Sequence, residues 1–528
     1  MNLSWSRKII ESLCEQGVEE FVFCAGARNS PLIVTLDRAR GIKAYSFFEE
    51  RSAAFFALGL ARCHGKPVAI ITTSGTAVAE LLPATIEAFH TGVPLVLVTA
   101  DRPKRLRGTG APQAIDQTGL FTKFIDAEFD LENGQMPSFG SWTRRAPIHV
   151  NVCFDEPLID EKFEPFPLTP VKAPHFAGLA RPLKKTDARQ SLEAFLKDSS
   201  EGSLMVLVGT LETDAERAAV SKLVRDLRAP TYFEATSGLR EDKSLAEVAL
   251  RSGDKVLQLA LKAYGIKRVL RLGGVPTARV WRDLEDPKVS VETFSLSPLP
   301  FAGLSRGQFA CANLVETLEG LSVRENPSAS LLDFDQTTSA KLEQILRDLP
   351  TSEPSLVRAL SKKIPSNALT YIGNSLPIRE WDLAATYNDG HHCVEANRGV
   401  NGIDGQVSTF IGLTRDQAEN WCVIGDLTAL YDLAGPWAAM HKKTGPLHVV
   451  VINNGGGKIF HRIFNNPLFE NRHSFDFSNW AAQWRWSYVR WTTIPQSLEV
   501  SSKPVVIELV PDNEATHEFW NRYDALFN

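Results

Sequence analysis

The sequence of 528 residues has no apolar run near the roughly 18 to 20 residues that cross a bilayer. Its longest runs, residues 94–100 and 447–453, have the length of strands. Cysteine is sparse and shows no C-x-x-C pair. The seven residues Cys14, Cys24, Cys63, Cys153, Cys311, Cys393 and Cys422 are scattered, mostly inside apolar runs. That pattern argues against a disulfide framework and a zinc site, and predicts reduced core cysteine in a cytoplasmic protein. Charge of one sign is not in excess: 57 Lys and Arg against 62 Asp and Glu give a formal net charge of -5. A mildly acidic chain has no bulk electrostatic reason to bind nucleic acid or anionic lipid. Val208-Gly209 and Gly273-Gly274 do not complete a G-x-G-x-x-G, which argues against a nicotinamide or flavin oxidoreductase. There is no short-period repeat. The opening MNLSWSRKIIESLCEQG reads as an amphipathic helix and not as a signal peptide.

What is present is ordinary for a globular protein: 44% hydrophobic and 23% charged residues. At roughly 150 residues per domain the length suggests three or four domains. The pattern along the chain is strand, turn, helix, repeated. Apolar runs at 20–25, 68–73, 95–100 and 148–153 form a first set, with a helical stretch from 76 to about 90. Runs at 204–209, 231–234, 268–273 and 289–294 form a second set. Runs at 369–373, 393–396, 421–425, 447–453 and 505–509 form a third. Continuous Val/Ile/Leu runs separated by helices indicate parallel strands buried on both faces. The Pro-rich stretch from Pro165 to Pro182 reads as a linker, and the polar stretch 322–352, helical in pattern, as another. The predicted fold is therefore α/β, with three consecutive doubly wound parallel-sheet domains at 1–180, 181–350 and 351–528. Ligands in such sheets bind outside the carboxyl ends of the strands.

The sharpest constellation lies in the third set. Gly425-Asp426-Leu427-Thr428 follows one strand and opens a helix. Asn454, in Asn453-Asn454-Gly455-Gly456, ends the next strand, 28 residues after Asp426. A carboxylate, an amide oxygen and a nearby main-chain carbonyl are hard oxygen donors that suit Mg²⁺. The helix start would offer N–H groups to a diphosphate, and Thr428 a hydroxyl. Taken alone, Gly-Asp is as readily a helix cap.

The Gly-Asp and Asn-Asn pair resembles the diphosphate and Mg²⁺ motif of thiamin-diphosphate enzymes, as does the three-domain layout. Ser74-Gly75-Thr76-Ala77, Thr99-Ala100-Asp101-Arg102-Pro103 and Gln113-Ala114-Ile115-Asp116-Gln117 narrow the likeness. So do Asn397-Arg398-Gly399, Gly402-Ile403-Asp404-Gly405 and the run from Gly425 to Leu433. Together they resemble the 2-succinyl-5-enolpyruvyl-6-hydroxy-3-cyclohexene-1-carboxylate synthases of menaquinone biosynthesis. The resemblance implies a transferase that decarboxylates 2-oxoglutarate with thiamin diphosphate and adds the succinyl unit to isochorismate. It implies Mg²⁺ or Mn²⁺ held by Asp426, Asn454 and the carbonyl of Gly456. It also implies a homodimer or homotetramer with sites at the subunit interface, acting on small molecules and on neither nucleic acid nor membrane.

Residue by residue, the resemblance puts the carboxylate that works on the aminopyrimidine at Glu50, with Glu49 as the neighbouring alternative. Ser74, Gly75, Gly402, Gly425, Leu427, Thr428, Asn454 and Gly456 fall at cofactor positions. Ile403 would prop the cofactor, and Ile459 and Phe460 would wall it. Both substrates are dianions, which a net-acidic protein must meet with placed arginine forks. The matching positions are Arg28, Arg102, Arg279, Arg379 and Arg398, with Ser375 and Gln113 as hydrogen-bonding partners. Ser375 and Arg379 share a helix face if a helix runs through both, Pro377 being tolerated only in its first turn. Ala27 stands where the family often has Ser, Thr277-Ala278-Arg279-Val280 carries one cation where it often has two, and Lys458 replaces a frequent Gln. These departures bear on the acceptor more than on the donor. The competing readings are another thiamin-diphosphate decarboxylase or acetohydroxyacid synthase-like carboligase, and a non-catalytic cofactor-binding scaffold. A decarboxylase of small 2-oxo acids would want an apolar pocket and often His, and His90, His391 and His392 stand in no recognisable motif.

Overall fold

The computed structural model describes the chain except residues 1, 163, 177–187, 198–199, 201, 388–392, 465 and 498–502. His391, His392 and the end of the Pro-rich stretch lie outside the described residues. The chain divides into two compact units. One comprises Met1–Leu179 with Asn397–Thr414 and Leu430–Thr444; the other comprises Ala180–Ala396, Arg415–Ala429 and Gly445–Asn528.

The first unit is built on a six-stranded sheet. Its strands run in the order Lys43–Phe47, Glu20–Cys24, Val68–Thr72, Leu95–Asp101, Ile148–Cys153, Ala127–Glu132. Every pairing is parallel. The central strands Val68–Thr72, Leu95–Asp101 and Ile148–Cys153 are buried along their whole length, as the continuous apolar runs require. The order reverses between Glu20–Cys24 and Val68–Thr72. That is the switch point where a doubly wound sheet opens a crevice at its carboxyl edge. The expected helix from 76 to 90 is two helices, Thr76–Ala79 and Leu82–Thr91. Helix Glu50–His64 crosses the unit against helix Gln406–Leu413. A Cβ on Gly59 would stand 2.2 Å from the Thr409 carbonyl, and one on Gly412 2.4 Å from the Phe56 carbonyl. Only glycine allows these two backbones to approach so closely.

The second unit carries two more parallel sheets. One has the order Thr231–Phe233, Leu204–Val208, Arg268–Leu272, Glu292–Ser297, Gln308–Cys311. The other has the order Val394–Glu395, Leu369–Ile372, Asn420–Gly425, Leu447–Ile452, Val505–Leu509, Ser487–Trp491. The last repeats the reversal of the first unit's sheet, with its switch point between Leu369–Ile372 and Asn420–Gly425. The stretch expected to link domains contains the helix Ala329–Asp348. It is no free linker, because Leu342, Ile345 and Leu346 pack with Phe519 and Tyr523 of the C-terminal helix. No helix among the described residues is long and apolar enough to cross a membrane.

Candidate functional site

In the second unit, Asp426 stands directly after the strand Asn420–Gly425, at the switch point, and is buried. Its Oδ1 accepts from the N–H of Leu427 at 2.6 Å. Its Oδ2 accepts from the N–H groups of Gly455 at 2.9 Å and Gly456 at 2.8 Å. His473 Nε2 lies 3.2 Å from the same oxygen. Burial pushes this carboxyl up, and the N–H groups of Gly456, Leu427 and Gly455 pull it back. The helix behind it, Asp426–Tyr431, has only six residues, so its dipole contributes less than the sequence suggested. Asn454 follows the strand Leu447–Ile452. Its Nδ2 donates to both carboxylate oxygens of Glu353 at 3.0 Å, while its Oδ1 is buried without a partner. Gly456 adopts φ +138, and a Cβ there would stand 2.5 Å from the Glu470 carbonyl. The loop after Asn454 is thus pressed against residues 470–473. Glu470 gathers Lys458, His461 and Arg472, each at 2.8 Å, and the hydrogen bonds from Arg472, Lys458 and His461 hold its carboxyl well below the usual range.

Gly425, Leu427 and Thr428 sit at this same strand end. Ile459 is half-buried, and Phe460 is 40% exposed, stacked on Phe464. Ser375 does not lie within the helix: it precedes Leu376–Ala384 with φ +73, a strained value for a residue with a Cβ. Arg379 reaches back one turn, and its Nη1 donates to the Ser375 carbonyl at 2.6 Å. Arg279 is exposed, beside Asp254, after the strand Arg268–Leu272.

In the first unit, Glu50 is the first residue of helix Glu50–His64 and Glu49 is its cap. The Glu49 carboxylate accepts from the N–H groups of Arg51 at 3.1 Å and Ser52 at 2.9 Å. Glu50 remains half-buried, its carboxyl pushed up by burial. Ser74 and Gly75 end the strand Val68–Thr72. Ser74 Oγ is buried without a partner, and Gly75 holds φ +87 while its N–H donates to Gln117 Oε1 at 3.0 Å. Across the same crevice lies Arg28, after the strand Glu20–Cys24. It is 8% exposed, with Nη1 donating to the Phe154 carbonyl at 3.0 Å and Nη2 3.2 Å from Glu156. Burial lowers the Arg28 guanidinium's pKa, and the charge of Arg102 lowers it further. Arg102 donates from Nε to the Pro112 carbonyl at 2.5 Å. Gln113 is exposed at φ +55, next to Gly75. The loop bearing Arg398, Gly402 and Ile403 is pinned by buried Glu87, which accepts from Gly399 and Val400 at 2.8 and 2.9 Å. Gly402 also lines a cleft of about 410 Å³ with Phe55, Glu80, Glu87 and Asp404.

A family model described as Thiamine pyrophosphate enzyme, N-terminal TPP binding domain, matches residues 4–120. The 2-succinyl-5-enolpyruvyl-6-hydroxy-3-cyclohexene-1-carboxylate synthase of Bdellovibrio bacteriovorus is 43% identical over 540 residues. The match covers 100% of this chain and 99% of that protein. Proteins of the same name from Akkermansia muciniphila and Lysinibacillus sphaericus are 37% and 31% identical, each match covering 98% of this chain and 97% of the relative. The chain belongs to this synthase family. It is a thiamin-diphosphate-dependent enzyme.

The residues present fit the cation that accompanies a diphosphate. Asp426 is a buried carboxylate, and Asn454 Oδ1 is a buried oxygen with no protein donor. The Gly456 carbonyl accepts one hydrogen bond, from Lys458, and keeps a lone pair. Sequence reasoning missed Glu353, Glu380, His473 and Glu470. Glu353 opens a helix behind Ser352 and reads as an ordinary first-turn acid. Glu380 reads as the polar side of a helix, and His473 and Glu470 as loop residues. Only the long-range fold brings them around Asp426, Asn454 and Gly456.

Proposed function

We propose that the chain decarboxylates 2-oxoglutarate and adds the succinyl unit to the ring alkene of isochorismate, the reaction that the sequence resemblance implied. The observation that carries this reading is the end-to-end match, at 43% identity, to a synthase of that name. When bound, thiamin diphosphate supplies the nucleophilic carbon and the electron sink for loss of CO₂. Glu50, with its carboxyl raised by burial, holds or gives the proton at the aminopyrimidine end. Ser74 Oγ has a free hydrogen bond to offer there. Asp426, Asn454 and the Gly456 carbonyl hold Mg²⁺ or Mn²⁺. Gly425, Leu427 and Thr428 face the diphosphate, Gly75, Gly402 and Ile403 the rest of the cofactor, and Ile459 and Phe460 exclude water. Arg28 and Arg102, close enough for the charge of Arg102 to act on Arg28, suit a dianion better than either does alone. Gln113, Arg279, Ser375, Arg379 and Arg398 complete the substrate contacts. The same reading assigns residues 1–180 to the pyrimidine end, 181–350 to a central domain and 351–528 to the diphosphate and metal end. It also assigns a homodimer or homotetramer in the cytoplasm.

The test supplies thiamin diphosphate, Mg²⁺ and 2-oxoglutarate and follows CO₂ with and without isochorismate. Isochorismate should vanish in step with CO₂, and Glu50→Gln should stop both. CO₂ release that leaves isochorismate untouched would keep the donor and discard the acceptor. No turnover with the cofactor bound would discard the synthase reading for this chain.

A further inference from the structure

An asparagine amide has two chemically opposite ends, and a metal takes only one of them. At Asn454 the choice is imposed by a neighbour. Nδ2 lies 3.0 Å from Oε1 and 3.0 Å from Oε2 of Glu353. Both Glu353 oxygens stand at the same distance from this one nitrogen, as acceptors of its two N–H groups do, and an amide nitrogen only donates, so the NH₂ faces Glu353 and the oxygen faces away. That oxygen is the buried, unpartnered Oδ1. Glu353 is itself held. It is 3% exposed, at the start of helix Glu353–Ser361, and its N–H donates to Thr516 Oγ1 at 3.0 Å. Glu380, 1% exposed on helix Leu376–Ala384, packs behind it, and neither Glu380 oxygen meets an N–H or hydroxyl donor. The Glu380 carboxyl hydrogen-bonds Glu353 from that side.

We propose that Glu353 is a positioning residue for the metal centre: its carboxylate fixes the orientation of the Asn454 amide and so presents Oδ1 to the divalent cation. The inference rests on Asn454 being a metal ligand, as in the proposed function. Partners one step behind a metal ligand commonly set its affinity by about 10- to 100-fold.

The experiment titrates Mn²⁺ into the protein at saturating thiamin diphosphate and reads free Mn²⁺ by its paramagnetic resonance signal. Glu353→Gln can donate as well as accept, so the amide of Asn454 loses its fixed sense, and Mn²⁺ binding should weaken by about 10-fold or more. Asn454→Asp should weaken it too, by setting a second negative charge against Glu353. The exchanged pair, Glu353→Gln with Asn454→Asp, should bind Mn²⁺ close to the wild-type value. There the NH₂ of the introduced glutamine can hold one oxygen of the introduced aspartate and leave the other to the metal. If Glu353→Gln binds Mn²⁺ like wild type while Asn454→Ala is weakened, the metal reading stands and the positioning role falls. If the exchanged pair is as weak as the product of its singles, the role also falls, because Glu353 then acts on folding and not on the amide. If Asn454→Ala binds Mn²⁺ unchanged, the metal reading fails first.

Discussion

Glu49 and Glu50 are adjacent carboxylates with divided work. A cap satisfies backbone N–H groups that nothing else reaches, so a residue so used is spent locally. Glu49 accepts from Arg51 and Ser52 and is that residue, while the Glu50 carboxyl on the first turn is pushed up by burial and bonds only its own backbone N–H among the groups that shift it. Glu49→Ala should therefore cost about 0.5–2 kcal/mol of stability by denaturant titration. Glu50→Gln should abolish turnover while the melting temperature stays near wild type. The reverse pattern would exchange the two assignments. From sequence the pair could not be separated by residue type, and the family position alone favoured Glu50. The cap geometry adds a physical reason. Asp426 and Asn454 were legible because both follow apolar strands that mark their ends. Glu353 was not, because its meaning comes from Asn454, 101 residues away in the chain.

At the scale of elements, most of the legible strands are buried along their length, the short edge strand Val394–Glu395 being an exception. Residues 148–153 and 505–509 have the bounds read from their apolar runs. Lys43–Phe47, Ala127–Glu132, Gln308–Cys311 and Ser487–Trp491 were not read. Each lies at a sheet edge with exposed or half-exposed positions, so its sequence lacks a continuous apolar run. The helix pair Glu50–His64 and Gln406–Leu413 was illegible for another reason: the partners are some 350 residues apart, a distance no local pattern spans. Its determinant is the absence of side chains at Gly59 and Gly412. Gly412→Ala sets a Cβ 2.4 Å from the Phe56 carbonyl and 2.8 Å from the Gly59 Cα, both main-chain atoms that cannot turn aside. It should lower stability by about 1–3 kcal/mol and loosen the helix that carries Glu50. Gly140→Ala, where a Cβ meets nothing within 4 Å, is the control and should be nearly neutral by the same denaturant titration. Equal stability for the two variants would mean that the helices can separate without cost.

At the scale of the whole molecule, the buried Glu353 and Glu380 pair links folding to pH. Burial, then the neighbouring Glu353 charge, pushes Glu380 well above 4.5; burial pushes Glu353 up to about 7, while the Asn454 amide pulls against it and the Asp426 charge adds to it. A carboxyl with a raised native pKa binds a proton that the unfolded chain has already released. Its contribution is complete below about 4.5 and is lost as pH rises through the native value, the opposite sense to a salt-bridged carboxylate such as Asp130 beside Arg107. The metal-free protein should therefore lose melting temperature steadily from weakly acidic to alkaline pH, with a slope of at most about 1.4 kcal/mol per pH unit for each proton. Glu380→Gln keeps an N–H donor toward Glu353 but cannot ionise. It should flatten that decline, so the variant overtakes wild type on the alkaline side. Melting curves of both proteins from pH 5 to 9, stripped of metal with chelator, decide it. Parallel curves would show that Glu380 holds no proton that unfolding releases, and the second carboxyl behind Asn454 would then need another account.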